Sequence, residues 1–134
     1  MHEKIIGTEL PTVGALAFLG DAVHSLYVRR MLVDRGICKS GELNEAALKY
    51  VTAEAQAAMY RRIEHLLLDD ERDVFRRASN STHLHKPKRA TVADYRHATG
   101  FEAVIGMLSY INDEERLKEL LDAAHTEAEN DTED

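Results

Sequence analysis

From Leu16 to Met31 the apolar residues return every three or four positions: Leu16, Leu19, Val23, Leu26, Tyr27 and Met31. That spacing is the mark of an amphipathic helix, and it restricts the chain to folds that bury helical stripes against one another. The pattern repeats downstream at Leu43, Ala46, Ala47 and Tyr50, at Ala55, Met59, Ile63 and Leu66, at Tyr95, Ala98, Phe101, Ile105 and Leu108, and at Leu117, Leu120, Leu121 and Ala124. No stretch alternates as a half-buried strand does. Helix formers dominate, and only 2 Pro and 7 Gly interrupt them. The expected fold is all-α, a single domain of six or seven helices, which suits a chain of 134 residues.

Local signals set the expected boundaries. Pro11 and Thr12 start the first helix, and Gly36 stops it. Ser40 or Gly41 precedes a short helix over about 42–49. Thr52 caps a helix from Ala53 to about Leu67, and Asp69 or Asp70 caps one reaching about Ala78. Thr91 with Asp94 resembles a capping box. The last helix is expected from Asp113 to about Ala128. The domain organisation is therefore a lead-in over 1–11, a folded domain over 12–128 and a frayed acidic tail over 129–134. The polar connection 79–90 is long for a helix–helix link, which points to a mobile segment, a functional one, or both.

Charge is unevenly spread. The formal net charge is −7, but residues 112–134 hold ten acidic and two basic side chains, leaving +1 on residues 1–111. Between Arg76 and His97 stand Arg76, Arg77, Lys86, Lys88, Arg89 and Arg96 against Asp94 alone. Such a segment is either a solvated loop or a phosphate-binding surface. The lone cysteine, Cys38, excludes an internal disulfide and fits a reducing compartment. No signal-peptide pattern and no bilayer-length apolar run occurs, so a cytoplasmic protein without membrane contact is expected. The P-loop, dinucleotide-binding, zinc-site and histidine-pair metalloprotease patterns are absent.

Two carboxylates interrupt the apolar stripes: Asp21 within Leu16-Ala17-Phe18-Leu19-Gly20-Asp21-Ala22-Val23, and Glu102 within Thr99-Gly100-Phe101-Glu102-Ala103-Val104-Ile105-Gly106. A charge on a packed helix face is costly unless it is paired or bound to a metal. If tertiary packing joins them, they can share Mg²⁺, a hard ion suited to carboxylates, water and phosphate. His24 and Ser25 are candidates to hydrogen-bond Asp21, and Thr99 to orient Glu102. Gly20, Gly100 and Gly106 call for the close approach of another helix or a ligand. Alternatively each acid is an ordinary solvated or ion-paired side chain.

These two segments resemble the signature helix and the second catalytic helix, Arg96 to Gly106, of the ribonuclease III catalytic domain. The resemblance runs from about Thr12 to Ile111. It includes Tyr27-Val28-Arg29 and Arg77-Ala78-Ser79-Asn80, and it is closest to the Mini-ribonuclease III branch, which lacks a separate double-stranded-RNA-binding domain. It implies that Asp21 and Glu102 are catalytic and hold Mg²⁺, with Mn²⁺ able to substitute. Larger members carry further carboxylates where this chain has Ala17, Thr99 and Gly14, a depletion the Mini branch shares. The resemblance also implies a homodimer with signature helices at its interface. It implies endonucleolytic cleavage of double-stranded RNA leaving 5′-phosphate ends, and a role in maturing precursor large-subunit (23S) ribosomal RNA. A ribosomal protein is a candidate presenter of that substrate. Without an accessory RNA module, Lys86, Lys88 and Arg89 become the first candidates for RNA contact and Arg76 and Arg77 the second, with Asn80 a supporting residue. Phe18 and Leu26 are expected in the core, Phe18 also being a candidate for the dimer interface. The competing function is a non-catalytic RNA-binding or ribosome-associated scaffold on the same fold.

Overall fold

A computed structural model describes residues 9–81 and 91–131, with side chains as far as Thr126. Six α-helices follow in order: α1 (Val13–Asp34), α2 (Ser40–Val51), α3 (Ala53–Ile63), α4 (Asp69–Asn80), α5 (Val92–Tyr110) and α6 (Glu114–Asp131). A 3₁₀ turn, Glu64–Leu66, extends α3, and no strand occurs among the described residues. The all-α expectation holds.

Short-range chemistry fixes most of the boundaries. Thr12, Thr52 and Thr91 each accept a backbone N–H three residues ahead, at 3.1, 3.2 and 3.0 Å, satisfying a donor at the starts of α1, α3 and α5. After α1 the chain turns at Gly36, whose φ of +89° suits glycine. Several boundaries differ from expectation. Helix α4 runs to Asn80, so Ser79 and Asn80, expected in the polar connection, are helical. Helix α2 begins at Ser40 and has no side-chain cap. The α-helical part of α3 stops at Ile63 and tightens into the 3₁₀ turn. The residue before α4 is Leu68, not an aspartate, and its N–H is taken by the Glu71 carboxylate at 2.9 Å. Helix α6 continues past Ala128 to Asp131, in a stretch with no glycine or proline to stop it.

Helix α5 runs through the centre, flanked by α1, α3 and α4, with α6 closing against α3 and α5. Its segment Phe101–Leu108 is buried around almost the whole circumference except at Glu102. A helix apolar on all sides is a core helix, not a surface one. Each large side chain it buries contributes about 1.5–3 kcal/mol. Helix α1 instead carries two apolar faces. Leu16, Val28 and Leu32 point inward, whereas Phe18 and Leu26 are 84% and 67% exposed. The core placement expected for those two is therefore corrected: α5 fills only one side of α1.

A buried ion pair locks α4 to α6. The fully buried Glu71 accepts from Arg116 Nε at 2.9 Å and Nη2 at 2.8 Å, and Nη2 also donates to the Leu66 carbonyl at 2.7 Å. Such paired geometry offsets the cost of removing the carboxylate from water.

Candidate active site

The site grows out of the crossing of α1 and α5. A Cβ added at Gly20 would overlap the Glu102 carbonyl, and one added at Gly106 would overlap the Leu16 carbonyl. The two helices thus meet backbone to backbone at reciprocal glycines. Each glycine costs a helix interior about 1 kcal/mol, which this approach offsets. Gly100 serves a different neighbour, the ring of Phe75, which stacks on Tyr60 at 3.8 Å. Because Asp21 follows Gly20 and Glu102 is the residue Gly20 touches, the crossing delivers both acids to one place.

There the two acids become neighbours. Asp21 is exposed, while Glu102 is half-buried. Burial, the hydrogen bond to Asp21 and the Asp21 charge push the Glu102 pKa up to about 8, opposed by a hydrogen bond from Gln56. Without a cation, burial and the neighbouring Asp21 therefore favour the protonated form of Glu102. Two acids brought together, one of them open to solvent, fit a divalent ion. Asp21 and Glu102 would supply its two protein oxygens, leaving its other positions to water or phosphate. Among the described residues no group of three or more His, Cys, Asp or Glu side chains could surround a metal.

Behind Glu102 runs a buried polar chain that the sequence reading missed. The Gln56 Nε2 lies 3.2 Å from His24 Nδ1, and His24 Nε2 lies 3.0 Å from His125 Nε2. An amide nitrogen only donates, so His24 accepts at Nδ1 and carries its proton on Nε2, which donates to His125. Burial, then the neighbouring His125, lowers the His24 pKa to about 3, keeping the ring neutral. Phe101 meets its face edge-on at 5.3 Å. On the far side, Tyr27 and Tyr50 pack on His125 at 4.8 and 5.6 Å. His24 thus turns inward, and its expected bond to Asp21 is replaced by those to Gln56 and His125. Gln56 was findable: it shares the buried face of α3 with Met59, Tyr60 and Ile63, so it is a polar interruption of the kind that flagged Asp21 and Glu102.

The other candidates are spread around this centre. Thr99 donates its hydroxyl proton to the Tyr95 carbonyl at 3.0 Å, within its own helix and not to Glu102. Arg76 and Arg77 are exposed on α4, and both hold Asp73, at 2.7 and 3.1 Å. Asn80 is the exposed last residue of α4. Lys86, Lys88 and Arg89 lie outside the described residues, as do lead-in residues 1–8. No helix among the described residues is long and apolar enough to cross a membrane.

Comparison with known proteins converges on one group. Residues 14–113 match the Ribonuclease III domain family. A Mini-ribonuclease 3 of Streptococcus pneumoniae is 43% identical over 109 residues, spanning 80% of this chain and 85% of its own length. One from Symbiobacterium thermophilum is also 43% identical, spanning 81% of this chain and 84% of its own. A Mini-ribonuclease 3-like protein of Ilyobacter polytropus is 38% identical over 93% of this chain and 99% of its own length. The crystal structure of a Fusobacterium nucleatum protein superposes with a TM-score of 0.76 at 31% identity, covering 83% of this chain and 88% of that one.

Proposed function

The chain belongs to the ribonuclease III family, in its Mini-ribonuclease 3 group, and from that membership we propose that this endoribonuclease cuts double-stranded RNA with Mg²⁺ held by Asp21 and Glu102. The observation that carries the reading is the backbone-to-backbone crossing of α1 and α5 at Gly20 and Gly106, which brings Asp21 and Glu102 to one place. A scaffold that only bound RNA would have no use for two acids pressed together at a cost.

When bound, Mg²⁺ supplies positive charge that polarises a phosphodiester and makes water a better nucleophile, and Mn²⁺ can replace it. The protein's part is positional. Asp21 reaches solvent, where a phosphate arrives, and Glu102 anchors the centre to the core helix. Cleavage leaves 5′-phosphate ends. The substrate is precursor 23S ribosomal RNA in the cytoplasm, and a ribosomal protein is a candidate to present it. Lys86, Lys88 and Arg89 hold the phosphate backbone, assisted by Arg76 and Arg77, whose shared partner Asp73 leaves both guanidinium groups solvent-accessible.

The active form is a homodimer. Exposed Phe18 and Leu26 support this, together with an apolar groove of about 520 Å³ between α1 and α6, lined by Val23, Leu26, Tyr27, Met31, Leu117 and Leu121. Asp21→Asn and Glu102→Gln test the assignment. Each is expected to lower Mg²⁺-dependent cleavage of a duplex by at least about a hundredfold while keeping the helical circular dichroism of wild type. Normal cleavage by both variants would sink the mechanism.

A further inference from the structure

We propose that the His24–His125 pair is an acid-operated latch for α6: near neutral pH its hydrogen bond fastens the C-terminal part of that helix to α1, and a proton taken up by the pair releases it. The device works on the fold and does not depend on the nuclease reading.

The two halves of α6 are held by different chemistry. Toward its start, Arg116 grips the buried Glu71 carboxylate through two nitrogens, and Leu120 and Leu121 lie in the core. A guanidinium keeps its charge, so mild acid does not weaken that grip from the arginine side. Toward its end, α6 is tied to α1 by His125, bonded to His24 across 101 positions at 3.0 Å, and by Asp122, which accepts from the Tyr27 hydroxyl at 2.8 Å. His24 and His125 are 0% and 4% exposed.

Two Nε2 atoms facing each other at that distance need one proton between them. His24 donates it and His125 accepts. A second proton at the same place sets N–H against N–H. A proton arriving at His24 Nδ1 instead meets the Gln56 amide nitrogen at 3.2 Å. The rings have little freedom to turn aside. Phe101 stands edge-on to His24 at 5.3 Å, and Tyr27 and Tyr50 lie against His125 at 4.8 and 5.6 Å. A charged imidazole here lacks both water and an acceptor, and opening relieves it.

The charges around the pair do not offset its burial. Helix α1 presents Tyr27, and α2 presents Tyr50, whose hydroxyl accepts from Arg35 at 3.2 Å. Helix α3 presents Gln56, and also Arg62, which donates to the Ala124 carbonyl beside His125 at 3.1 Å and adds positive charge. Helix α5 presents the uncharged Phe101 ring. On α6 itself Asp122 attracts a protonated His125, but its two oxygens already serve Tyr27 and Lys118. Burial, then the neighbouring His125, lowers the His24 pKa to about 3, so the closed latch resists protonation. Opening returns the ring to water and to an ordinary pKa near 6.5. Below that pH, each proton taken up on opening raises the opening constant by up to about tenfold per pH unit, until the closed form titrates as well.

Amide hydrogen exchange followed by NMR on the full-length protein, between about pH 7.5 and 5 and corrected for intrinsic rates, tests the latch. Asp122 stays ionised over this range, because burial, which raises its pKa, is outweighed by hydrogen bonds from Lys118 and Tyr27. Protection at residues 122–126 is expected to fall roughly 10-fold or more between about pH 6.5 and 5, while protection at residues 103–108 of α5 does not fall with it. Unchanged protection in α6 overturns the latch, and so does an equal loss in α5, which marks opening of the whole fold. His24→Phe/His125→Phe keeps two rings and removes both titrating groups. The folded double variant should change by less than about twofold over the same interval, and a fall as large as that of wild type overturns the proposal. Should the double variant fail to fold, the ring ¹⁵N shifts of wild type decide. Protonation of either histidine in step with the loss of α6 protection supports the latch, whereas loss of protection with both rings neutral overturns it.

Discussion

Glu102 couples the site to the stability of the whole chain. Its pKa rises from an ordinary 4.5 to about 8 on folding. Below about pH 4.5 the acid is protonated in both folded and unfolded states and nothing is lost. As pH climbs toward 8 the unfolded chain ionises freely while the folded one resists, so stability falls across that window by on the order of a few kcal/mol. His24 works in the opposite direction. Its folded pKa is near 3 against 6.5, so its stabilising neutral form is undermined only as pH drops below about 6.5. Thermal unfolding in a chelator between pH 6.5 and 9 therefore isolates Glu102. Wild type should lose melting temperature with rising pH, Glu102→Gln should be flatter and more stable at the alkaline end, and saturating Mg²⁺ should flatten wild type. Asp21 and Glu102 could be picked out from the sequence because a charge in an apolar stripe is a local anomaly. The histidine chain could not, since its members stand 32 and 101 positions apart and only packing makes them partners. The Thr99 hydroxyl shows the converse: its spacing placed it near Glu102, yet the carbonyl one turn back was the nearer acceptor.

Between elements, the crossing of α1 and α5 is the least forgiving contact in the molecule. Gly20→Ala and Gly106→Ala each drive a methyl group into the opposing backbone, and backbone cannot swing aside. Each should cost about 3 kcal/mol or more in urea unfolding and lower Mg²⁺-dependent cleavage further by separating the acids. Gly100→Ala meets the Phe75 ring instead, a side chain that can shift, and should cost less. Equal losses at all three positions would show that helix propensity, not the seam, governs them. The basic segment after α4 carries its own expectation. Neutralising Lys86, Lys88 and Arg89 together should weaken duplex binding and reduce the slope of affinity against salt by about two to three counter-ions. Helix starts at Thr12, Thr52 and Thr91 were legible because a cap is a three-residue device. The shortened α3 and the Leu68 cap position before α4 were not, because the Arg116–Glu71 lock that shapes that corner comes from the far end of the chain.

Over the whole molecule, six helices around one core could be anticipated from period and length alone. Which apolar residues face that core could not, because α1 is apolar on two sides and its period is the same for both. Phe18 and Leu26 resolve the ambiguity by standing outside. Phe18→Asp or Leu26→Asp should give a well-folded monomer by sedimentation velocity, with cleavage reduced at least about tenfold. A dimer that persists in both variants would move the interface elsewhere. Phe18 also lies a single helical turn from Asp21 on the same flank of α1. Any molecule that seats itself on that aromatic ring comes to rest beside Asp21, so if the proposed dimer forms there, dilution alone should lower turnover per chain. A small compound wedged at Phe18 should then lower cleavage without touching the proposed ion site.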